Sequence, residues 1–95
     1  MGWNFNVTRW EIRESKTFTL TFGGADADGN VLRCNDKSVV LAQIHELSSD
    51  KKSPFIGATS MSIDNVAPGD NAVTVRGSIG ADTDRLARIT FFVVM

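Results

Sequence analysis

Residues 17–22 read Thr17-Phe18-Thr19-Leu20-Thr21-Phe22, which puts two phenylalanines and a leucine on one face and three threonines on the other. Side chains of a β-strand alternate between faces with a period of two, so the stretch predicts a strand with one buried and one wet side. Working outward, Val73, Val75 and Ile79 alternate with Thr74, Arg76 and Ser78. Ala87, Ile89, Phe91 and Val93 repeat the pattern towards the C-terminus. No segment keeps a helical period over three turns. Turn-forming clusters separate the runs: Ser15-Lys16, Asp28-Gly29-Asn30, Asn35-Asp36-Lys37, the stretch 48–54, Pro68-Gly69-Asp70 and Asp82-Thr83-Asp84.

These signals predict an all-β chain with about seven strands, at 4–14, 17–24, 30–34, 38–47, 55–64, 71–80 and 85–94. Ninety-five residues suit one domain, 1–95, and so many short strands in that length predict a small two-layer antiparallel β-sandwich. The strand count and the proline-glycine corner resemble an immunoglobulin-type sandwich in architecture, without its Cys…Trp…Cys signature. The first strand has a phase problem, since Phe5 and Val7 are odd whereas Trp10 and Ile12 are even. A β-bulge near Thr8 and Arg9 would bring all four to the core side.

The formal charge of −1 gives no electrostatic basis for binding nucleic acid or an anionic membrane. The longest apolar run, 91–95, is far too short to span a bilayer. Cys34 is the only cysteine, which excludes an intrachain disulfide and favours a reducing compartment. With no signal-peptide pattern at the start, the expected location is cytoplasmic. Arg9, Arg13, Arg33, Arg76 and Arg88 fall within expected strands, where their stems cover the sheet and their heads pair with glutamates across it.

A four-letter pattern, G-A-D-x-D, occurs at 24–28 and again at 80–84. Strict alternation of seven antiparallel strands would bring Asp26, Asp28, Asp50, Asp82 and Asp84 to one pole. Calcium takes six to eight oxygens, more than one short loop supplies, so Asp26, Asp28, Asp82 and Asp84 together form a candidate calcium site. C2 domains resemble this arrangement in gathering calcium ligands from loops at one end of a sandwich. Neither loop is an EF-hand: the twelfth positions, counted from Asp26 and Asp82, are Lys37 and Val93. The competing reading is hairpin chemistry, in which glycine supplies positive φ and aspartate bonds to its own turn. It is the stronger of the two.

Catalytic signals are sparse. His45 is the only histidine, and no Walker loop, G-x-S-x-G, H-E-x-x-H or C-x-x-C pattern occurs. A dyad of Cys34 and His45 is the one nucleophilic arrangement open to the chain. The expectation is a non-catalytic binding or adaptor module that engages a protein or small ligand through loops at one pole. Its alternatives are the calcium-dependent module and a homo-oligomeric assembly subunit. The last strand bears on the second alternative, because Phe92 and Val94 are apolar on the face opposite Ile89, Phe91 and Val93. Only one face of a sandwich strand meets the core. Phe92 and Val94 therefore need cover, either from Trp3 or from a second subunit in a weak homodimer.

Overall fold

A computed structural model describes residues 5–50 and 53–94. It contains six strands: β1 (Phe5–Glu14), β2 (Lys16–Gly23), β3 (Val39–Glu46), β4 (Met61–Gly69), β5 (Ala72–Ile79) and β6 (Arg85–Val94). They form two three-stranded antiparallel sheets, ordered β1-β6-β3 and β2-β5-β4. There is no helix among the described residues, and so none long and apolar enough to cross a membrane.

The central strands carry the core. In β6, Ala87, Ile89, Phe91 and Val93 are fully buried, and β5 opposes them with Val73, Val75 and Ile79. Phe18 of β2 and Ile12 of β1 complete the layer. Aromatic contacts stitch the two sheets: Phe22 of β2 lies 5.4 Å from Trp10 and 5.5 Å from Phe91. Full burial of one such side chain is worth about 1.5–3 kcal/mol, so these two strands dominate stability.

The bulge expected in β1 is not there. The β1–β6 register runs unbroken from Phe5↔Val94 to Glu14↔Arg85. Thr8 occupies the inner face in phase with Trp10 and Ile12, and is fully buried. Its hydroxyl accepts a 2.9 Å hydrogen bond from the Trp10 indole N–H, which lets a polar residue hold a core position. Phe5 and Val7 consequently face outward. The register irregularity lies instead in β4, between Ile63 and Asn65.

Residues 30–34, expected as a strand, make one isolated bridge, Ala25↔Val31. Side chains replace the ladder there. The Arg33 amide donates to Asn6 Oδ1 and the Cys34 amide to Asn71 Oδ1. Leu32 still inserts into the core and is fully buried. The proline-glycine corner becomes a hairpin: Pro68 and Gly69 end β4, and Asn71 makes the turn at φ 54°.

Gly77 is closely packed between its neighbours in the β2-β5-β4 sheet. A Cβ there would lie 2.7 Å from Phe18 Cζ and 2.7 Å from the Ser62 carbonyl oxygen. Gly77→Ala should therefore lower stability by about 1–3 kcal/mol, as overpacking does in a filled core. A urea unfolding curve with its midpoint shifted down and its slope unchanged is the expected outcome.

Candidate functional site

The two aspartate motifs leave opposite ends of the sandwich. Residues 24–30 follow Gly23, which pairs with Ala72, whereas residues 80–84 follow Ile79, which pairs with Lys16 at the far end of the same sheet. Because residues 30–34 are not a through-going strand, the chain makes one crossing fewer than expected and the shared pole is lost. Asp26 and Asp28 thus belong to the connection that leaves the end where Gly23, Val39 and Val94 lie and runs back to Arg9 in the middle of β1, whereas Asp82 and Asp84 are at the other end. Among the described residues, no group of three or more His, Cys, Asp or Glu side chains is placed to hold one ion.

Asp26 has a structural task. It is buried, and its carboxylate accepts three main-chain hydrogen bonds: 2.9 Å from Arg9, 3.0 Å from Asp28 and 2.9 Å from Asn30. The bonds from Asp28 and Asn30 shape its own turn, closed by Gly29 at φ 83°. The bond from Arg9 fastens that turn to the free edge of β1. Burial opposes the charged form, but the amides of Arg9, Asn30 and Asp28 outweigh it and hold the carboxyl below its ordinary value of 3.8. Asp28 is exposed and lines an open hollow of about 590 Å³ with Arg9, Trp10, Glu11, Ala27 and Arg88. Asp82 and Asp84 are exposed.

Cys34 and His45 are not brought together. The thiol lies at the Gly69–Ala72 end, donating weakly at 3.4 Å to the carbonyls of both residues. His45 lies six residues along β3 from Val39 and opposite Arg88, a separation of about 20 Å at the strand rise. Desolvation and the positive charge of Arg88 push its pKa down, leaving a neutral imidazole. His45 Nε2 and Glu46 Oε1 are buried without hydrogen-bond partners among the described residues. Both residues border a hollow of about 190 Å³ lined by Ile44, Phe55 and Ile56.

The surface feature that stands out is the outer face of the β1-β6-β3 sheet. Register places Phe5 and Val7 beside Val94 and Phe92, and these beside Val39 and Leu41. Six apolar side chains from three strands thus form one uncharged half-face. The Phe5 and Phe92 rings lie 4.6 Å apart. The other half of the face carries Arg9, Glu11 and Arg13 on β1, Arg88 on β6 and His45 on β3. Of the residues singled out from the sequence, Phe92 and Val94 sit in the middle of the apolar half, and Trp3 lies outside the described residues. Phe5, Val7, Val39 and Leu41 were missed. The odd phase of Phe5 and Val7 was their signal, and reading it as a bulge hid it.

No protein-family model matches the chain, and no curated protein or solved structure matches it.

Asp26→Ala should cost about 1–3 kcal/mol, because it strips buried amides of their acceptor. Since the folded pKa lies below the unfolded one, the Asp26 contribution is complete above about pH 4 and is lost as pH falls through the folded value. Urea midpoints at pH 7 and at pH 3 should therefore differ less in the variant than in the wild type. An equal difference would remove the assigned role.

Proposed function

We propose that the domain is a non-catalytic assembly subunit that associates with copies of itself at the β1-β6-β3 sheet, whose outer face is apolar over one half. One observation carries this reading: Phe5, Val7, Val39, Leu41, Phe92 and Val94 share an uncharged half-face that runs across all three strands of one sheet. Monomeric domains rarely expose apolar patches of this kind unless something binds there. The contrast with the other sheet is sharp. The outer face of β2-β5-β4 carries Thr19, Thr21, Thr74 and Arg76, with Thr21 and Thr74 hydroxyls 2.8 Å apart. Nothing in that face favours a dry contact.

The alternative, binding through loops at one pole, has less behind it. Its acidic cluster is divided between two ends, and Asp26 is committed to main-chain amides. A non-catalytic role is supported by the distance between Cys34 and His45 and by the carbonyls that hold the thiol.

Sedimentation velocity tests the reading. The wild type should self-associate as its concentration rises to the high micromolar range, and Val39→Ser combined with Leu41→Ser should leave a folded monomer. A wild type that sediments as a monomer throughout would refute self-assembly.

A further inference from the structure

Exposure across the apolar half-face is uneven. Phe92 and Val94, in the middle, are half-buried by the rows beside them. Phe5, on the β1 side, is 51% exposed, and Val39 and Leu41 on β3 are 59% exposed each. Both outer rows lie on edge strands, and the two edges are flanked differently. The β1 edge is held by residues 24–33: Asp26 takes the Arg9 amide, and Asn6 bonds the Val31 carbonyl and the Arg33 amide.

The β3 edge is different, and the register shows which groups it presents. The Arg9 amide points to Asp26 and so away from β6, which makes Arg9–Thr90 a pair without mutual bonds. Thr90 then bonds towards β3, to its partner Gln43. The odd residues of β3 therefore bond to β6, and Val40, Ala42, Ile44 and Glu46 turn their N–H and C=O groups to the free edge. Two observations agree: the Leu47 amide bonds to Leu86 of β6, and the Glu46 carbonyl accepts from the Phe55 amide on the open side. Phe55 closes that end. The edge-directed groups of Val40 and Ala42 have no main-chain partner among the described residues.

An unpaired edge with apolar side chains beside it is a template for another strand. The sequence of this one is complementary to itself. Around Val40, residues 37–43 read Lys-Ser-Val-Val-Leu-Ala-Gln, in which Val39 mirrors Leu41, Ser38 mirrors Ala42 and Lys37 mirrors Gln43. Resting on the assembly reading above, we infer that the partner is a second copy of this chain, paired antiparallel along β3 about a two-fold axis at Val40. Each Val40 exchanges its N–H and C=O with the other Val40. Each Ala42 amide donates to the Ser38 carbonyl of the other copy. The Ser38 amide is not needed, since it already bonds to the Asn35 carbonyl. Val39 faces Leu41 of the other copy in the closer, non-bonded type of pair, so the two most exposed rows of the face cover each other. No two like charges meet, because Lys37 faces Gln43. The result is one six-stranded sheet across the dimer.

Three measurements on the full chain test this. Ala42→Pro removes an edge-directed N–H, at a position on an edge strand whose small side chain packs against the core, and should weaken dimerisation about 30-fold or more. Phe92→Ser, in the middle of the face, should leave the dimer in place. In the wild type, hydrogen exchange at the Val40 and Ala42 amides should slow as concentration rises. If Phe92→Ser abolishes association while folded Ala42→Pro retains it, the faces stack and β3 pairing is overturned, although self-assembly stands. Should Ala42→Pro fail to fold, the exchange result decides alone: Val40 and Ala42 amides that stay unprotected in the dimer overturn the inference. A monomeric wild type removes the assembly reading and this inference together.

Discussion

Burying one row of β6 forces the other row out. Ala87, Ile89, Phe91 and Val93 have no exposed surface, and a strand's period of two then leaves Thr90, Phe92 and Val94 facing away from the core. A central strand also has no freedom to roll, since it is bonded on both sides, to β1 and to β3. Phe92 and Val94 cannot be turned inward without expelling Phe91 and Val93. The apolar half-face is therefore a fixed consequence of the core, and the neighbouring strands have extended it with Phe5, Val7, Val39 and Leu41 rather than diluting it with charge.

Edge protection follows the same economy. Asp26 has the chemistry of a cation ligand, yet its oxygens are satisfied by three main-chain amides, one of which belongs to the edge of β1. Anchoring a connection of this length to an edge keeps that edge from pairing with other strands. On β4, the irregularity at Ile63/Asn65 and Pro68 interrupt a regular edge. Residues 39–42 contain neither a proline nor a charge, and Val40 and Ala42 have no main-chain partner on that side among the described residues. This difference between the edges is what singles out β3 for the pairing proposed above.

Much of this was legible in the sequence, and the failures have physical causes. The alternations at 17–22, 73–79 and 87–93 located β2, β5 and β6, because each strand buries a single face. Phe92 and Val94 were conspicuous for the same reason. Thr8 was misleading: a hydroxyl reads as solvent-facing, and it is the bond from Trp10, two residues along the same strand, that makes its burial tolerable. Leu32 was correctly apolar but wrongly assigned to a strand, since Asn6 and Asn71 side chains satisfy the amides that a ladder would otherwise pair. That single misassignment reversed which end the later loops occupy. The expected meeting of Asp26 and Asp28 with Asp82 and Asp84 fell with it.

The remaining polar groups point the same way. The Cys34 thiol is engaged by the Gly69 and Ala72 carbonyls, Asn6 uses both ends of its amide on residues 31–33, and Asp64 accepts from the Ser62 and Ser78 hydroxyls. Each of these side chains has a partner within the fold, and reactivity of Cys34 would require breaking the contacts that position it. Among the described residues, His45 and Glu46 each have one buried side-chain atom without a partner, and burial together with the charge of Arg88 lowers the pKa of the imidazole. A neutral histidine next to an apolar hollow adds little charge to the surface beside it. Along β3, Val40 and Ala42 have edge-directed main-chain groups without a main-chain partner among the described residues, and the exposed Val39 and Leu41 side chains lie on the same strand. Hydrogen bonding and apolar burial, which act at separate places elsewhere in this fold, are there left open together, and a second β-strand is the structure that closes both at once.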